Sequence, residues 1–153
     1  MNIMGIGPRI AIVGGLAFIV TVLLQAFFGL IISLPPSLFI WLRLIGFVLN
    51  AVGLWFWFFS IIQIRRAFES HHLETKGVYS YSRNPMYSAF IVFIVPGLAF
   101  MTNNFLIIFI SISMFICFKL LIGKEEKYLQ QEYGAEYEEY SSRVAQLIPF
   151  IHV

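Results

Sequence analysis

The stretch IAIVGGLAFIVTVLLQAFFGLIIS, residues 10–33, decides the fold class because no charged side chain interrupts it. Only Thr21, Gln25 and Ser33 add polar groups to it. A helix needs about 20 apolar residues to cross the hydrocarbon core of a bilayer, which is roughly 30 Å thick. Residues 10–33 are therefore predicted to form a transmembrane helix. The stretch is longer than the apolar part of a signal peptide, and no small-residue cleavage site follows it.

Three more apolar runs follow, at residues 38–64, 85–101 and 105–122. The run at 85–101 spans only about 25 Å as a helix, which suffices beside longer neighbours. Compact turns at residues 34–37 and 102–104, built from Leu, Pro, Ser, Thr and Asn, separate the runs into two pairs. The chain is thus predicted to be an all-α membrane protein with four transmembrane helices in two hairpins. Isolated β-hairpins are excluded because they leave backbone groups unsatisfied in lipid.

The composition supports one membrane domain over residues 1–153. Of these residues 59% are hydrophobic and 12% are charged, against about 45–50% and 25% in soluble proteins. The mean hydropathy is +0.85. A net charge of +2 with no basic stripe argues against nucleic acid as a partner and leaves the lipid bilayer as the main one. The single cysteine, Cys117, lies in an apolar run and is read as a small hydrophobic residue.

The basic residues predict how the helices are oriented. Nine of the ten lie at the chain termini, in the central loop at residues 65–84 or at the adjoining helix ends, and only Arg43 lies on the other side. The nine are Arg9, Arg65, Arg66, Lys76, Arg83, Lys119, Lys124, Lys127 and Arg143. Loops rich in Lys and Arg remain in the cytosol. Both termini and the 65–84 loop are therefore predicted to be cytosolic.

After Gly123 the chain becomes polar but keeps a helical period. Apolar and aromatic residues recur at steps of three and four, at Leu129, Tyr133, Tyr137, Tyr140 and Val144. Residues 124–142 are therefore predicted to form an amphipathic helix at the membrane surface or over the mouth of the bundle.

The first polar cluster lies where the third helix is expected to begin. Asn84 is a good N-cap residue and Pro85 a good first helical residue. The free N–H groups of a helix start, with the charge of Arg83 beside them, suit a carboxylate or phosphate. The plain alternative is a capped helix with an arginine that reaches the interface.

The second cluster is Lys124–Glu126, and the return of the fourth helix brings it to the same face as Arg83. Two adjacent carboxylates repel one another at a membrane boundary unless cations or ligand hydroxyls pair with them. A solvated helix end is the plain reading of either cluster alone, and the combination favours a site. The histidines His71 and His72 lack a third ligand at a usual spacing, so no metal site is predicted.

Two blocks in this order resemble the isoprenylcysteine carboxyl methyltransferases and the membrane phospholipid methyltransferases. LETKGVYSYSRNPMY, residues 73–87, is similar to the family pattern L-x-T-x-G-P-Y-x-x-x-R-H-P-x-Y. EEKYL at 125–129 and YGAEYEEY at 133–140 are similar to E-E-x-x-L and F-G-x-E-Y-x-x-Y. Arg143-Val144 and Ile148-Pro149 fit the family's ending. The resemblance covers residues 73–149.

This resemblance implies methyl transfer from S-adenosyl-L-methionine to a lipophilic acceptor. By position, one side of the cofactor pocket would comprise Gly77, Tyr79, Arg83, Asn84, Pro85 and Tyr87, and the other Glu125 and Glu126. Arg83 suits the methionine carboxylate, and a glutamate suits ribose hydroxyls or the α-ammonium. The rings of Tyr79 and Tyr137 suit the adenine or, through cation–π attraction, the sulfonium. Arg83 and Glu126 are predicted to be the catalytic pair.

Within the acidic pair, Glu126 is predicted to contact the cofactor or acceptor. Glu125 is predicted to hold the Arg83 side of the pocket together, by reaching Arg83 or another loop cation, with the reverse assignment left open. Val78 replaces the family's proline. Asn84 replaces its histidine, which removes a group that titrates near neutral pH. If the histidine only donates a hydrogen bond, Asn84 can substitute for it.

Other readings stay open at this stage. Membrane sterol reductases, which use a nicotinamide cofactor, resemble the same half of the chain, although Pro85 after Asn84 follows the methyltransferase pattern. A non-catalytic membrane adaptor or small transporter is the alternative from another class. The acceptor is also open among a prenylated cysteine carboxylate, which the motif favours, a phospholipid amine and a small thiol.

Overall fold

The computed structural model describes residues 5–70 and 72–149, and its regular elements there are all helical. The helices are α1 (Gly7–Phe28), α2 (Pro36–Ser70), α3 (Pro85–Thr102), α4 (Ile108–Tyr133) and α5 (Ala135–Arg143). Short 3₁₀ turns at Gly77–Ser80 and Phe105–Ile107 precede α3 and α4. Helices α1 to α4 are long and apolar enough to cross a membrane. The predicted all-α class with four transmembrane helices is confirmed.

Neighbouring helices in the bundle run antiparallel. The main packing partner of α1 is α4 and that of α2 is α3, while α3 and α4 pack together as the second predicted hairpin. The first pair, α1 and α2, is joined by residues 29–35, but each of these helices finds its main partner elsewhere. At the far end, Asn103 exchanges two side-chain hydrogen bonds with the backbone of Leu34, at 3.0 and 2.9 Å.

Small residues bring α2 close to α3. A Cβ atom at Gly46 would lie 2.6 Å from the carbonyl oxygen of Gly97, and one at Gly53 would lie 2.6 Å from Ile94. Asn50 donates to the carbonyl oxygen of Gly46 at 2.8 Å, one turn earlier on its own helix. The surface formed by Gly46, Asn50 and Gly53 is therefore a packing surface, as small residues in membrane helices usually provide.

The carboxyl-terminal ends of α1 and α2 differ from the predicted ones. Helix α1 ends at Phe28 rather than Ser33, because Gly29 adopts a left-handed conformation (φ 60°) that ends the helix. Helix α2 continues past Ile64 to Ser70, so the loop predicted at 65–84 begins several residues later than predicted. The prediction ended α2 where hydrophobicity ends, but arginine and alanine are good helix formers in water as well.

The predicted amphipathic helix at 124–142 is wrong in its boundaries. Helix α4 continues through Gly123 and ends at Tyr133, because the next residue, Gly134, has a φ of 52° that breaks the helix, and α5 then folds back. A glycine inside a helix costs only about 1 kcal/mol relative to alanine, so Gly123 alone does not end α4. The fold-back places Tyr137 and Tyr140, both buried, against the segment before α3.

The two polar clusters lie at one end of this bundle, called the motif end below. It comprises the amino-terminal ends of α1 and α3, the carboxyl-terminal ends of α2 and α4, and helix α5. A π-helical turn at Ala89–Ile94 widens α3 just inside the motif end, and Ser111 of α4 donates a hydrogen bond to the carbonyl of Ile91 there. Such turns break the regular ladder of a helix and are frequent near functional sites.

Candidate functional site

An ion pair joins the two predicted clusters. Nη1 of Arg83 lies 2.8 Å from Oε1 of Glu126 and donates to the hydroxyl of Tyr137 at 3.1 Å. The side chains of Arg83 and Glu126 are 15% and 26% exposed, so the pair is largely but not fully withdrawn from solvent. The prediction that the clusters meet at one end of the bundle is confirmed. The guanidinium carbon also lies 6.0 Å from the centre of the Tyr137 ring.

Glu125 belongs to a different contact set from its neighbour. Its carboxylate accepts a hydrogen bond from the backbone N–H of Ile6 and another from the hydroxyl of Tyr87. A Cβ atom on Gly5 would collide with the same carboxylate, so the start of α1 wraps closely around Glu125. Within the described residues Glu125 therefore does not pair with Arg83, and it contacts the Arg83 side of the pocket through Tyr87 instead. Successive residues on a helix point about 100° apart, and Glu126 is the one directed at Arg83.

Pro85 begins α3 as predicted, but Asn84 does not cap it with its side chain. The amide of Asn84 instead donates to the carbonyl oxygen of Gln146 at 2.9 Å. The hydroxyl of Ser82 accepts the backbone N–H of Asn84 at 3.1 Å. Asn84 thus acts here as a neutral hydrogen-bond donor that ties α3 to the carboxyl-terminal segment.

Gly77 sets the shape of the loop before α3. Its φ of 59° lies in the left-handed region, and a Cβ atom there would lie 2.0 Å from the side-chain nitrogen of Gln63. The amide oxygen of Gln63 accepts the N–H of Val78 at 3.1 Å. Glycine is needed at residue 77 for both its conformation and its contact with α2.

The tyrosines of the site are buried. Tyr79 is 8% exposed and packs with Phe56 of α2, while its carbonyl oxygen accepts the hydroxyl of Tyr140 at 2.7 Å. Burial raises the pKa of Tyr79, Tyr137 and Tyr140, so their hydroxyls stay protonated at neutral pH. The hydroxyl of Tyr140 donates a hydrogen bond and that of Tyr137 accepts one from Arg83, while the three rings provide packing surface.

Sequence reasoning did not identify residues Ala145–Leu147, called the strap below. The strap crosses the start of α3, where the N–H of Arg83 donates to the carbonyl of Ala145 at 2.8 Å. The hydroxyl of Ser88 donates to the carbonyl of Leu147 in the same way. Only the family ending at Ile148-Pro149 hinted that this segment matters, and nothing in its composition reveals its partners.

Within the part of the chain that the structure describes, the ion pair leaves one donor of Arg83 without a partner and brings two donors to a single carboxylate oxygen of Glu126. Nε of Arg83 is buried and has no hydrogen-bond partner among residues 5–70 and 72–149. Both donors to Glu126 reach Oε1, from Arg83 and from Gln146, each at 2.8 Å. A cationic donor group beside a carboxylate acceptor fits a ligand that carries both charges, as the methionine end of S-adenosyl-L-methionine does.

An apolar groove of about 290 Å³ opens on the outer side of the bundle between α2 and α3. Its lining is almost entirely apolar, with Tyr81 two residues before Arg83 in the chain. The lining residues are Val52, Trp55, Phe56, Tyr81, Phe93 and Pro149. Trp55 and Tyr81 in the lining are exposed, so the groove opens at the surface of the bundle.

The metal prediction can be compared only in part. Residues 5–70 and 72–149 contain no cluster of three or more His, Cys, Asp and Glu side chains that could hold a metal ion. Nε2 of His72 lies 3.8 Å from Oε2 of Glu74. His71, the other histidine considered, lies outside the described residues.

The model of the family described as phospholipid methyltransferase matches residues 40–136, which include both sides of the ion pair. The chain belongs to this family. Similar proteins include protein-S-isoprenylcysteine O-methyltransferase B of Arabidopsis thaliana, 37% identical over 95 residues, and protein-S-isoprenylcysteine O-methyltransferase of Saccharomyces cerevisiae, 37% identical over 84. These alignments cover 62% and 54% of this chain, but 48% and 35% of the relatives.

The chain therefore spans about half or less of the length of these relatives. A probable protein-S-isoprenylcysteine O-methyltransferase of Oryza sativa subsp. indica is similar as well, with 35% identity over 83 residues, which cover 54% of this chain and 44% of the relative. No solved structure matches the chain. Family membership and the four apolar helices together make this an integral membrane protein of a methyltransferase family.

Proposed function

We propose that this protein is an S-adenosyl-L-methionine-dependent methyltransferase acting on a lipophilic acceptor, of which a prenylated cysteine carboxylate is the best candidate. The observation that carries the proposal is the Arg83–Glu126 ion pair, which is built from both family blocks at one end of the bundle. An internal pair of this kind can be exchanged for a zwitterionic ligand with every charge still paired. This exchange avoids the large penalty of an unpaired charge at a membrane boundary.

The residues around the pair have distinct roles in this proposal. Arg83 holds the methionine carboxylate, and Glu126 accepts from the ammonium or from ribose hydroxyls. Gly77, Asn84 and Pro85 shape the start of α3 on the cofactor side. The predicted cofactor residues Tyr79, Tyr87, Tyr137 and Glu125 support this wall, because their contacts run to Tyr140, to Arg83 and to the start of α1.

The bound cofactor supplies a methyl group on a sulfonium, which is already activated for transfer. A carboxylate acceptor is ionised at neutral pH, so no side chain has to remove a proton from it. The work left to the protein is to align the acceptor oxygen with the methyl carbon and to exclude water. Arg83 and Glu126 accordingly bind and orient, and buried Tyr137 and Tyr140 close the site from the aqueous side.

The acceptor is assigned from the groove and from the names of the relatives. The apolar groove beside Tyr81 offers a hydrocarbon chain a place next to the loop that carries Arg83. The similar proteins are named isoprenylcysteine O-methyltransferases, whereas the family description names phospholipids. A phospholipid amine is the second candidate. It differs chemically because its ammonium must lose a proton before transfer.

The orientation is part of the proposal. The positive-inside distribution of nine basic residues against Arg43 supports a cytosolic motif end. A cytosolic site would face the compartment that contains S-adenosyl-L-methionine and the carboxyl ends of prenylated proteins.

The test begins with ligand binding in detergent. We expect S-adenosylhomocysteine to raise the melting temperature of the purified protein and NADPH to leave it unchanged. The reverse result would favour a reductase, and no shift with either would favour a non-catalytic adaptor. Transfer of labelled methyl to a farnesylated N-acetylcysteine, compared with phosphatidylethanolamine, then identifies the acceptor.

A groove variant links the acceptor to the structure. Val52→Trp should fill the groove and raise the apparent KM for the farnesylated acceptor while leaving S-adenosylhomocysteine affinity unchanged. Val48→Trp, one turn earlier on an exposed face of α2, is the matched control. Equal KM values for both variants would show that the acceptor does not bind in the groove.

A further inference from the structure

Gln146 lies between two opposite charges of α4. Its Nε2 donates to Oε1 of Glu126 at 2.8 Å, and its Oε1 accepts from Nζ of Lys119 at 2.8 Å. Lys119 and Glu126 are seven residues apart, about two turns, so they share one face of the helix. A neutral amide can donate to a carboxylate and accept from an ammonium at the same time. The two charges therefore determine which way the amide of Gln146 points.

The backbone of the strap is anchored independently of this side chain. Its carbonyl groups accept from the N–H of Arg83, from the amide of Asn84 and from the hydroxyl of Ser88. None of these bonds uses the side chain of Gln146. A change of that side chain can therefore remove its bond to Glu126 while the strap stays in place.

The geometry at Glu126 shows what the bond achieves. Arg83 and Gln146 both donate to Oε1. Two donors on one oxygen fix the plane of the carboxylate, where the ion pair alone would leave it free to rotate. The carboxylate then offers one oxygen, Oε2, to an incoming donor.

We infer that Gln146 is a positioning residue that orients the Glu126 carboxylate so that Oε2 accepts a hydroxyl or ammonium donor of the cofactor, with Lys119 fixing the amide. This inference rests on the proposed function, because the donor belongs to S-adenosyl-L-methionine or its product. It predicts that Gln146 contributes to ligand affinity only through Glu126.

The experiment measures S-adenosylhomocysteine affinity by calorimetry in detergent. Gln146→Met keeps the length of the side chain and removes both hydrogen bonds, and we expect it to weaken binding about tenfold, the scale of one hydrogen bond to a charged group. Lys119→Met should weaken binding less, because the amide remains but loses its orientation. Gln131→Met, the same substitution at an exposed residue of α4, is the matched control and should bind as the wild type does.

A double-mutant cycle separates positioning from a structural role. In a Glu126→Gln background, Gln146→Met should add less than about a twofold loss. If Gln146 only held the strap, the substitution would weaken binding equally in both backgrounds and lower the melting temperature without ligand. That outcome, or wild-type affinity for Gln146→Met, would overturn the inference while leaving the proposed function intact. Failure of the wild type to bind S-adenosylhomocysteine would overturn both.

Discussion

Adjacent glutamates on α4 have separate partners. Glu125 accepts from the start of α1 and from Tyr87, and Glu126 pairs with Arg83. The sequence identifies the acidic pair as part of a site but does not determine the helical phase on which this division depends. A shift of one residue rotates a side chain by about 100°, and no periodic signal near Gly123 is precise enough to resolve it. The structure shows which helix face each glutamate occupies, with Glu126 directed at Arg83 and Glu125 at the start of α1.

Glu125 is therefore expected to matter for stability. Glu125→Ala leaves the N–H of Ile6 and the hydroxyl of Tyr87 without their shared acceptor, which should cost about 1–3 kcal/mol of unfolding free energy. Thermal unfolding in detergent measures this loss. Glu126→Gln, at the neighbouring position, is the control and should reduce ligand affinity with a smaller change in melting temperature. The opposite pattern would show that the two roles are exchanged.

At the scale of elements, the two glycines near the end of α4 differ in function. A Cβ atom at Gly123 would meet no other atom within 4 Å, and this residue lies in regular helix, whereas Gly134 has φ 52° and ψ −123°. The change of polarity in the sequence predicts the break at Gly123. The change of polarity at Gly123 marks where the chain leaves the apolar region. The helix itself ends before Gly134, because the positive φ of that residue is incompatible with a helix.

The same distinction explains which elements could be predicted. The transmembrane helices were predictable because their length and hydrophobicity suffice. The strap was not, because the bonds that anchor it to α3 use its backbone carbonyl groups, which carry no sequence signal.

The glycine pair offers a direct comparison. Gly134→Ala should lower stability by about 1–3 kcal/mol, because a side chain is strained at this backbone conformation, and should loosen α5. Gly123→Ala should raise stability by up to about 1 kcal/mol, because alanine is the better helix former. Equal effects of the two substitutions on the melting temperature would contradict the fold-back of α5 at Gly134.

For the whole molecule, the antiparallel order of the four helices brings sequence-distant groups to one end. Arg83 and Glu126 are separated by the α3–α4 hairpin, and Gln146 reaches them after α5 has folded back. The hairpin was readable from the sequence because its turn is short. The return of α5 depends on Gly134 and on the burial of Tyr137 and Tyr140. The helical period of apolar residues indicated that these two tyrosines are buried, but not in which direction α5 turns.

The cytosolic placement of the motif end is tested by labelling cysteines in intact cells. In a Cys117→Ala background, Ser37→Cys should react with a membrane-impermeant maleimide from outside, and Lys76→Cys should react only after the cells are permeabilised. The short α1–α2 connection and the motif loop lie at opposite ends of the bundle, so both residues reacting from one side would contradict the four-helix topology.

The central claim is that the Arg83–Glu126 pair is the binding site for the methionine end of the cofactor, and calorimetry with S-adenosylhomocysteine tests it most directly. Arg83→Ala should weaken binding by roughly 1.5–3 kcal/mol, the value of a hydrogen bond to a charged group. Arg83→Lys should recover only part of this, because the planar fork of the guanidinium is lost. The control is Arg143→Ala, which removes an exposed arginine paired with Glu139 at 3.3 Å and should leave affinity unchanged. Wild-type affinity in a folded Arg83→Ala protein would contradict the account.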